Sequence, residues 1–198
     1  MKPNLTEIIF LLDRSGSMGG LEEDTIGGYN AFVEKQNQLD GDTIITTILF
    51  DDKYEVLCNG IDGKKAKITD NEYFVRGCTA LLDAIGKTII EVGVRLSKTK
   101  EEYKPEKVIF VITTDGYENA SKEFTYEKVN ELIKHQEEKY NWEFIFLGAN
   151  IDVEKEAGNL GISMKNTYSY VSSKEGLGDM YNLVCEAVCE IRSNKEKN

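Results

Sequence analysis

Ile8-Ile9-Phe10-Leu11-Leu12-Asp13-Arg14-Ser15-Gly16-Ser17 is the stretch that decides how this chain folds. The apolar run Ile8 to Leu12 has the length and composition of a buried strand, and an acid ends it. Gly16-Ser17-Met18-Gly19-Gly20 must then turn the chain before the next helix. A strand therefore delivers Asp13, Ser15 and Ser17 to a loop. Side chains at i, i+2 and i+4 of an extended segment project to one side, so these three can converge on one ion. One carboxylate with two neutral hydroxyls is an oxygen-only donor set, which suits a hard cation such as Mg²⁺. Taken alone, the same D-x-S-x-S pattern also reads as a Gly/Ser turn in which Asp13 caps the following helix.

Two later segments bear on that choice. In Gly77-Cys78-Thr79-Ala80-Leu81-Leu82-Asp83-Ala84-Ile85 a loop threonine opens a helix, and Val108-Ile109-Phe110-Val111-Ile112-Thr113-Thr114-Asp115-Gly116 is a buried-strand pattern ending in an acid and a glycine. With these three motifs in this order the chain resembles the von Willebrand factor type A domain. That family's metal-ion-dependent adhesion site is assembled from a D-x-S-x-S loop, one threonine and one later aspartate. The resemblance extends over residues 7–191 and implies that Asp13, Ser15, Ser17, Thr79 and Asp115 form the metal site. It implies Mg²⁺ as the cofactor, with Mn²⁺ or Ca²⁺ as alternatives, and a partner protein that offers an Asp or Glu carboxylate to the ion. Few carboxylates and small hydroxyl ligands favour Mg²⁺ over Ca²⁺ on chemical grounds, because a compact octahedral shell keeps its waters. Asp24-Thr25-Ile26-Gly27-Gly28-Tyr29-Asn30 and the segment from Trp142 to Asp152 are similar to those of compact, stand-alone bacterial and phage members.

Hydrophobic periodicity predicts strands over 7–12, 43–50, 53–57, 107–114, 143–147 and 166–170. It predicts helices over 21–37, 79–96, 126–140, 153–159 and 174–192. Alternating strands and helices describe an α/β fold, a Rossmann-like open sheet of six mostly parallel strands with helices on both faces. Only Asp51-Asp52 separates the second and third strands, too short for a parallel crossover, so the third is antiparallel and sits at an edge. The family's sheet has the same single exception. Open α/β sheets bind ligands beyond the carboxyl ends of their strands, where the strand order switches. Asp13 and Asp115 both lie at such ends. So does Gly148-Ala149-Asn150-Ile151-Asp152, which makes Asn150 and Asp152 rim candidates, although a turn and a helix cap are the more ordinary account of them. Asp83 shares a helix face with Thr79 and is expected to bind a neighbouring backbone or hydroxyl group rather than a metal.

The 198 residues, 40% of them hydrophobic, suit a single domain over residues 1–192 with a polar tail at 193–198. A net charge of −11, from 35 acidic and 24 basic residues, opposes binding to nucleic acid or to anionic membranes. The N-terminal apolar run is too short and too soon interrupted by Asp13 for a signal peptide or a membrane span, so a cytoplasmic location is expected. Among the four cysteines no C-x-x-C occurs, and Cys185 and Cys189 fall on the apolar face of a helix, where they pack as small hydrophobes. The single histidine, His135, has no cysteine near it in sequence, which disfavours zinc. A P-loop is excluded because the loop after Gly16 carries no lysine. A haloacid-dehalogenase-like phosphatase would place a second aspartate where Ser15 stands. The leading reading is a non-enzymatic protein-binding module, with a structural component of a bacterial or phage assembly as the alternative and a metal-dependent phosphohydrolase as a lesser one.

Overall fold

The computed structural model describes residues 1–193. In chain order the elements are β1 (Lys2–Asp13), α1 (Glu22–Gln38), β2 (Asp42–Phe50), β3 (Tyr54–Asp62), α2 (Leu81–Lys98), β4 (Pro105–Thr114), α3 (Tyr126–Tyr140), β5 (Glu143–Gly148), α4 (Val153–Leu160), β6 (Thr167–Ser169) and α5 (Lys174–Ser193). The six strands lie in the order β3-β2-β1-β4-β5-β6, and only β3 is antiparallel. The anticipated hairpin thus holds, with β3 at the edge. Several elements run longer than the periodicity indicates, and β6 is shorter, Thr167–Ser169 against an expected 166–170. β1 starts at Lys2 because Lys2 pairs with Pro105 across an irregularity that Asn4 absorbs at φ 58°, and β3 continues through bulges to Asp62. The helix carrying the last apolar stripe reaches Ser193, so the expected polar tail loses its first residue to α5, and the rest of it, 194–198, lies outside the described residues.

Alternation along β1 explains the layering. Ile8, Phe10 and Leu12 pack with Tyr29, Phe32 and Val33 of α1 and with Leu177, Met180, Val184 and Val188 of α5. Ile9 and Leu11 point the other way, to Leu82, Ile85 and Ile89 of α2 and to Val129 and Ile133 of α3. Central strands buried on both faces show no polar alternation, which is why β1, β4 and β5 read as unbroken apolar runs. Cys185 lies in the α1/α5 layer with the partly buried Cys189 beside it, and Gln36 Nε2 donates to the Cys185 sulfur at 3.3 Å. Among the described residues no helix is long and apolar enough to cross a membrane.

One charged cluster ties the loops at the carboxyl end of the sheet. Arg14 and Asp51 are both fully buried. Asp51 Oδ2 accepts Arg14 Nε at 2.9 Å and Arg76 Nε at 2.7 Å. Phe74 lies beneath both guanidinium groups, 5.4 and 5.0 Å from its ring centroid. Burial pushes the Asp51 carboxyl up, but the bonds from Arg76 and Lys53 N and the two positive charges outweigh it and hold the group below the usual carboxylate range. Arg14 Nη2 lies 2.7 Å from Glu55 Oε2 in a geometry too poor for a hydrogen bond, so Asp51 carries most of the compensation for the buried guanidinium. Removing one partner of a buried pair leaves an uncompensated charge, so Asp51→Ala is expected to lower unfolding free energy by about 3–5 kcal/mol in urea titrations. The exposed neighbour Asp52 should tolerate replacement by Asn with a change within about 0.5 kcal/mol.

Candidate metal centre

β1 and β4 are adjacent and parallel, with Leu12 opposite Thr113, so both strands end at the same level. Asp13 and Asp115 leave those ends together. Asp13 is 1% exposed and Asp115 2% exposed. Asp13 Oδ1 accepts the amide of Ser15 at 2.7 Å, which folds the loop back on itself, and Asp13 Oδ2 accepts Thr114 Oγ1 at 2.7 Å. The Ser15 and Ser17 hydroxyls lie 3.2 Å apart, and Ser17 Oγ donates to Asp115 Oδ1. Thr79 completes the group. A Cβ placed on Gly116 would stand 3.5 Å from both Ser17 Oγ and Thr79 Oγ1, so glycine at 116 leaves free the space that the two hydroxyls border. Ser17 is exposed while Ser15 and Thr79 are buried, so the cluster opens to solvent on the Ser17 side. The structure therefore brings together all five residues that the sequence singles out.

Backbone contacts fix the loops that carry them. Gly16 N donates to Gly77 O at 3.1 Å, Arg76 N to Arg14 O at 2.9 Å and Ala80 N to Asp51 O at 2.9 Å. Gly77 has φ 69°, the left-handed region that favours glycine, and the exposed Asp52 carboxylate occupies the space that a Cβ there would take. The rim candidates are placed differently from one another. Asn150, left-handed at φ 58°, reaches the Asp115 carbonyl with Nδ2 at 3.4 Å, whereas Asp152 caps α4 by accepting Lys155 N at 3.1 Å. Asp83 behaves as a backbone partner, accepting the amides of Lys122, Glu123 and Phe124, each at 2.9 Å.

Several contacts escape sequence reading. Tyr73 hydroxyl donates to the Asp13 carbonyl at 2.7 Å, Tyr170 hydroxyl to the Thr114 carbonyl at 3.2 Å, and Ser172 Oγ to Asp115 Oδ2 at 3.3 Å. These residues come from loops far along the chain, and nothing in their local sequence marks them. Asn119 is another, with its Oδ1 accepting Thr79 N at 2.9 Å.

The electrostatics favour a cation. Burial pushes the Asp13 carboxyl up to about 6 against the pull of the Thr114 and Ser15 bonds, and the Asp115 charge adds to the rise. Burial raises Asp115 as well. Among the described residues no basic side chain pairs with either acid. Nor is any group of three His, Cys, Asp or Glu side chains among them placed to hold a metal, so an ion here would lean on hydroxyls and water for most of its shell. Two carboxylates with three hydroxyls fit a hard divalent ion that keeps waters.

Neither a family model nor a curated protein matches the sequence. Solved structures do match the fold. A form of proximal thread matrix protein 1 from the mussel byssus with a zinc-occupied MIDAS motif is 19% identical, with a TM-score of 0.63 over 93% of this chain and 46% of that one. Manganese-loaded TRAP protein of Plasmodium vivax is 17% identical, with a TM-score of 0.63 over 91% of this chain and 73% of that one. The vWF domain of the type V pili tip protein Mfa5 from Porphyromonas gingivalis is 10% identical, with a TM-score of 0.65 over 98% of both chains. The chain spans under half the length of the mussel protein. At these identities the likeness establishes the architecture: a six-stranded, Rossmann-like α/β sheet of the von Willebrand factor type A kind.

Because the folded Asp13 carboxyl sits near 6 and its unfolded value is 3.8, between about pH 4 and 6 the folded chain keeps a proton that the unfolded chain has lost. Its contribution to stability is therefore present below about pH 4 and is lost as pH rises through 6, by about 3 kcal/mol in all. Thermal unfolding of the metal-free protein against an Asp13→Asn variant should show the gap between them widening over that window in favour of the variant. Millimolar Mg²⁺ should raise the melting temperature of the natural sequence at pH 7 and leave it unchanged at pH 4.5, where protons hold the site.

Proposed function

We propose that the cluster of Asp13, Ser15, Ser17, Thr79 and Asp115 holds Mg²⁺ and that the protein is a non-enzymatic module that captures a carboxylate of a partner protein through that ion. The observation that carries this reading is the meeting of two buried, cation-free carboxylates with the Ser17 hydroxyl at the mouth of the site. The ion, when bound, supplies a Lewis-acidic centre for one anionic oxygen. The chain's own contribution is rigidity and charge. Asp13 and Asp115 balance a divalent charge, while Ser15, Ser17 and Thr79 orient the ion without adding charge, so an incoming Asp or Glu side chain is not repelled by excess ligand anions. Asn150, bonded to the Asp115 carbonyl, and the capping Asp152 are its proposed rim. Metal-bearing forms of the mussel and Plasmodium proteins, which share the fold, support metal binding as the function of this site.

The wider features point the same way. With a net charge of −11 the protein is a poor ligand for nucleic acid or anionic lipid, and a partner acidic overall would be repelled beyond the site. Cys58, Cys78, Cys185 and Cys189 are all free thiols, which suits the reducing cytoplasm that we propose as its location. A place in a larger assembly is the second reading, favoured by the thread matrix and pilus tip proteins among the structural neighbours. Size exclusion with light scattering separates the two, since a self-assembling component gives a concentration-dependent mass.

Asp13→Ala and Asp115→Ala are each expected to abolish Mg²⁺ binding in titration calorimetry while leaving the far-ultraviolet circular dichroism of the natural sequence, because Asp13 is the last residue of β1 and Asp115 follows the end of β4, outside the apolar core. Ser15→Ala and Ser17→Ala should weaken binding less, since water replaces a neutral hydroxyl. A pull-down from cell extract should retain its partner in Mg²⁺ and release it in EDTA. Undiminished metal binding by the Asp13/Asp115 double variant would refute the assignment.

A further inference from the structure

The helix that presents Thr79 has no N-cap of its own. α2 begins after Ala80, a residue whose side chain cannot accept from the first-turn amides, and no side-chain cap bond is made there. Alanine is among the poorest residues for this position, and the leading amides of a helix must find acceptors elsewhere. Here they find them in residues 116–124, the irregular segment that leaves Asp115 and leads to α3. Leu82 N donates to Glu118 Oε2 at 2.9 Å and Asp83 N to Ser121 Oγ at 3.0 Å, and Thr79 N, one residue ahead of Ala80, donates to Asn119 Oδ1 at 2.9 Å. The Asn119 amide answers by donating to Thr79 O at 3.0 Å. Asp83 closes the arrangement by taking the amides of Lys122, Glu123 and Phe124. Glu118 holds its own loop in shape through Ala120 N at 2.8 Å and Ser121 N at 2.7 Å.

The bonds divide the labour. Glu118, Ser121 and Asp83 anchor the segment to the first turn of α2 several times over, so the segment stays docked without Asn119. Asn119 alone among them addresses Thr79, through a pair of bonds to its N–H and C=O. Thr79 is 3% exposed and its hydroxyl borders the space above Gly116, whereas Asn119 itself is exposed. The threonine's position relative to Asp115 thus depends on an exposed amide four residues after that acid.

We propose that Asn119 is a positioning residue for the metal centre: its side chain caps the Thr79 amide from the Asp115 loop and fixes the distance of the Thr79 hydroxyl from the ion. This rests on the reading of the site as a metal centre and adds a residue that touches neither the metal nor the partner. Groups that hold a ligand in place act on affinity at one remove, typically by tenfold or more. Asn119→Ala removes the acceptor, while Asn119→Asp keeps an oxygen at the same place for the Thr79 N–H.

The test uses the full chain, Mn²⁺ as the probe, and two readouts. Calorimetric titration of Mn²⁺ should give a dissociation constant about tenfold weaker for Asn119→Ala, with an unfolding midpoint in urea close to that of the natural sequence. Hydrogen exchange at the Thr79 amide, followed by NMR on the metal-free protein, should be about tenfold faster in Asn119→Ala and near normal in Asn119→Asp. Exchange is read without metal because the extra charge of Asp would attract the ion for reasons unrelated to position. Unchanged Mn²⁺ affinity in Asn119→Ala, with the natural sequence binding normally, overturns the proposal and leaves the metal centre standing. Unchanged Thr79 exchange in that variant overturns it as well. Failure of the natural sequence itself to bind Mn²⁺ overturns the metal reading and this inference together.

Discussion

Two acids of like charge are forced together because β1 and β4 are neighbouring parallel strands that end at one level. Everything else at that edge of the sheet answers this constraint. Among the described residues Asp13 and Asp115 receive hydrogen bonds only from neutral donors: the Ser15 amide and the Thr114 hydroxyl for one, the Ser17 and Ser172 hydroxyls for the other. Neutral donors stabilise an anion without cancelling its charge, so burial wins and both carboxyls titrate above their ordinary range. A proton or a cation must supply the balance, and a divalent ion matches the charge of a pair of acids.

One residue further along, the same loop solves the opposite problem. Arg14 follows Asp13 on an extended segment, so its side chain is directed to the other face, where it is buried against Asp51. There it is paired in place with a carboxylate shared with Arg76, and the two guanidinium groups lie against Phe74. The contrast has a mechanical meaning. A charge-paired cluster grips the serine loop, the β2–β3 turn and the threonine loop from behind, while the pair of acids without a basic partner faces the opening. Rigidity and charge deficit are thereby separated onto the two sides of one short loop, which suits a site that must exist before its ligand arrives.

The order of elements and the main site were legible in the chain because both are written in local patterns. Five apolar residues before Asp13 mark a strand whatever surrounds it, and the Asp51-Asp52 spacing alone forbids a parallel crossover. Asp83 was readable as a backbone partner because an acid in the first turn of a helix has few other uses. Asn119, Glu118, Tyr73 and Ser172 were not legible. Each acts on a residue at least thirty-five positions away, through geometry that no sequence window contains. Arg14 carried a faint signal, since an arginine directly behind a buried strand needs a counter-ion, but the choice of Asp51 over other acids depends on which strand lies beside β1.

By itself the sequence determined what donors exist and where each strand hands them over: an acid at the end of β1, hydroxyls at alternate positions after it, a threonine before α2 and an acid at the end of β4. Those are properties of residue type and period, fixed by the chain's covalent order. Only the tertiary structure decided that the donors share one space, that no basic side chain among the described residues neutralises the two acids, and that an uncapped α2 borrows its cap from the loop behind Asp115. These are facts of proximity, and proximity between distant residues is set by strand order and packing, which come into being only when the sheet is assembled.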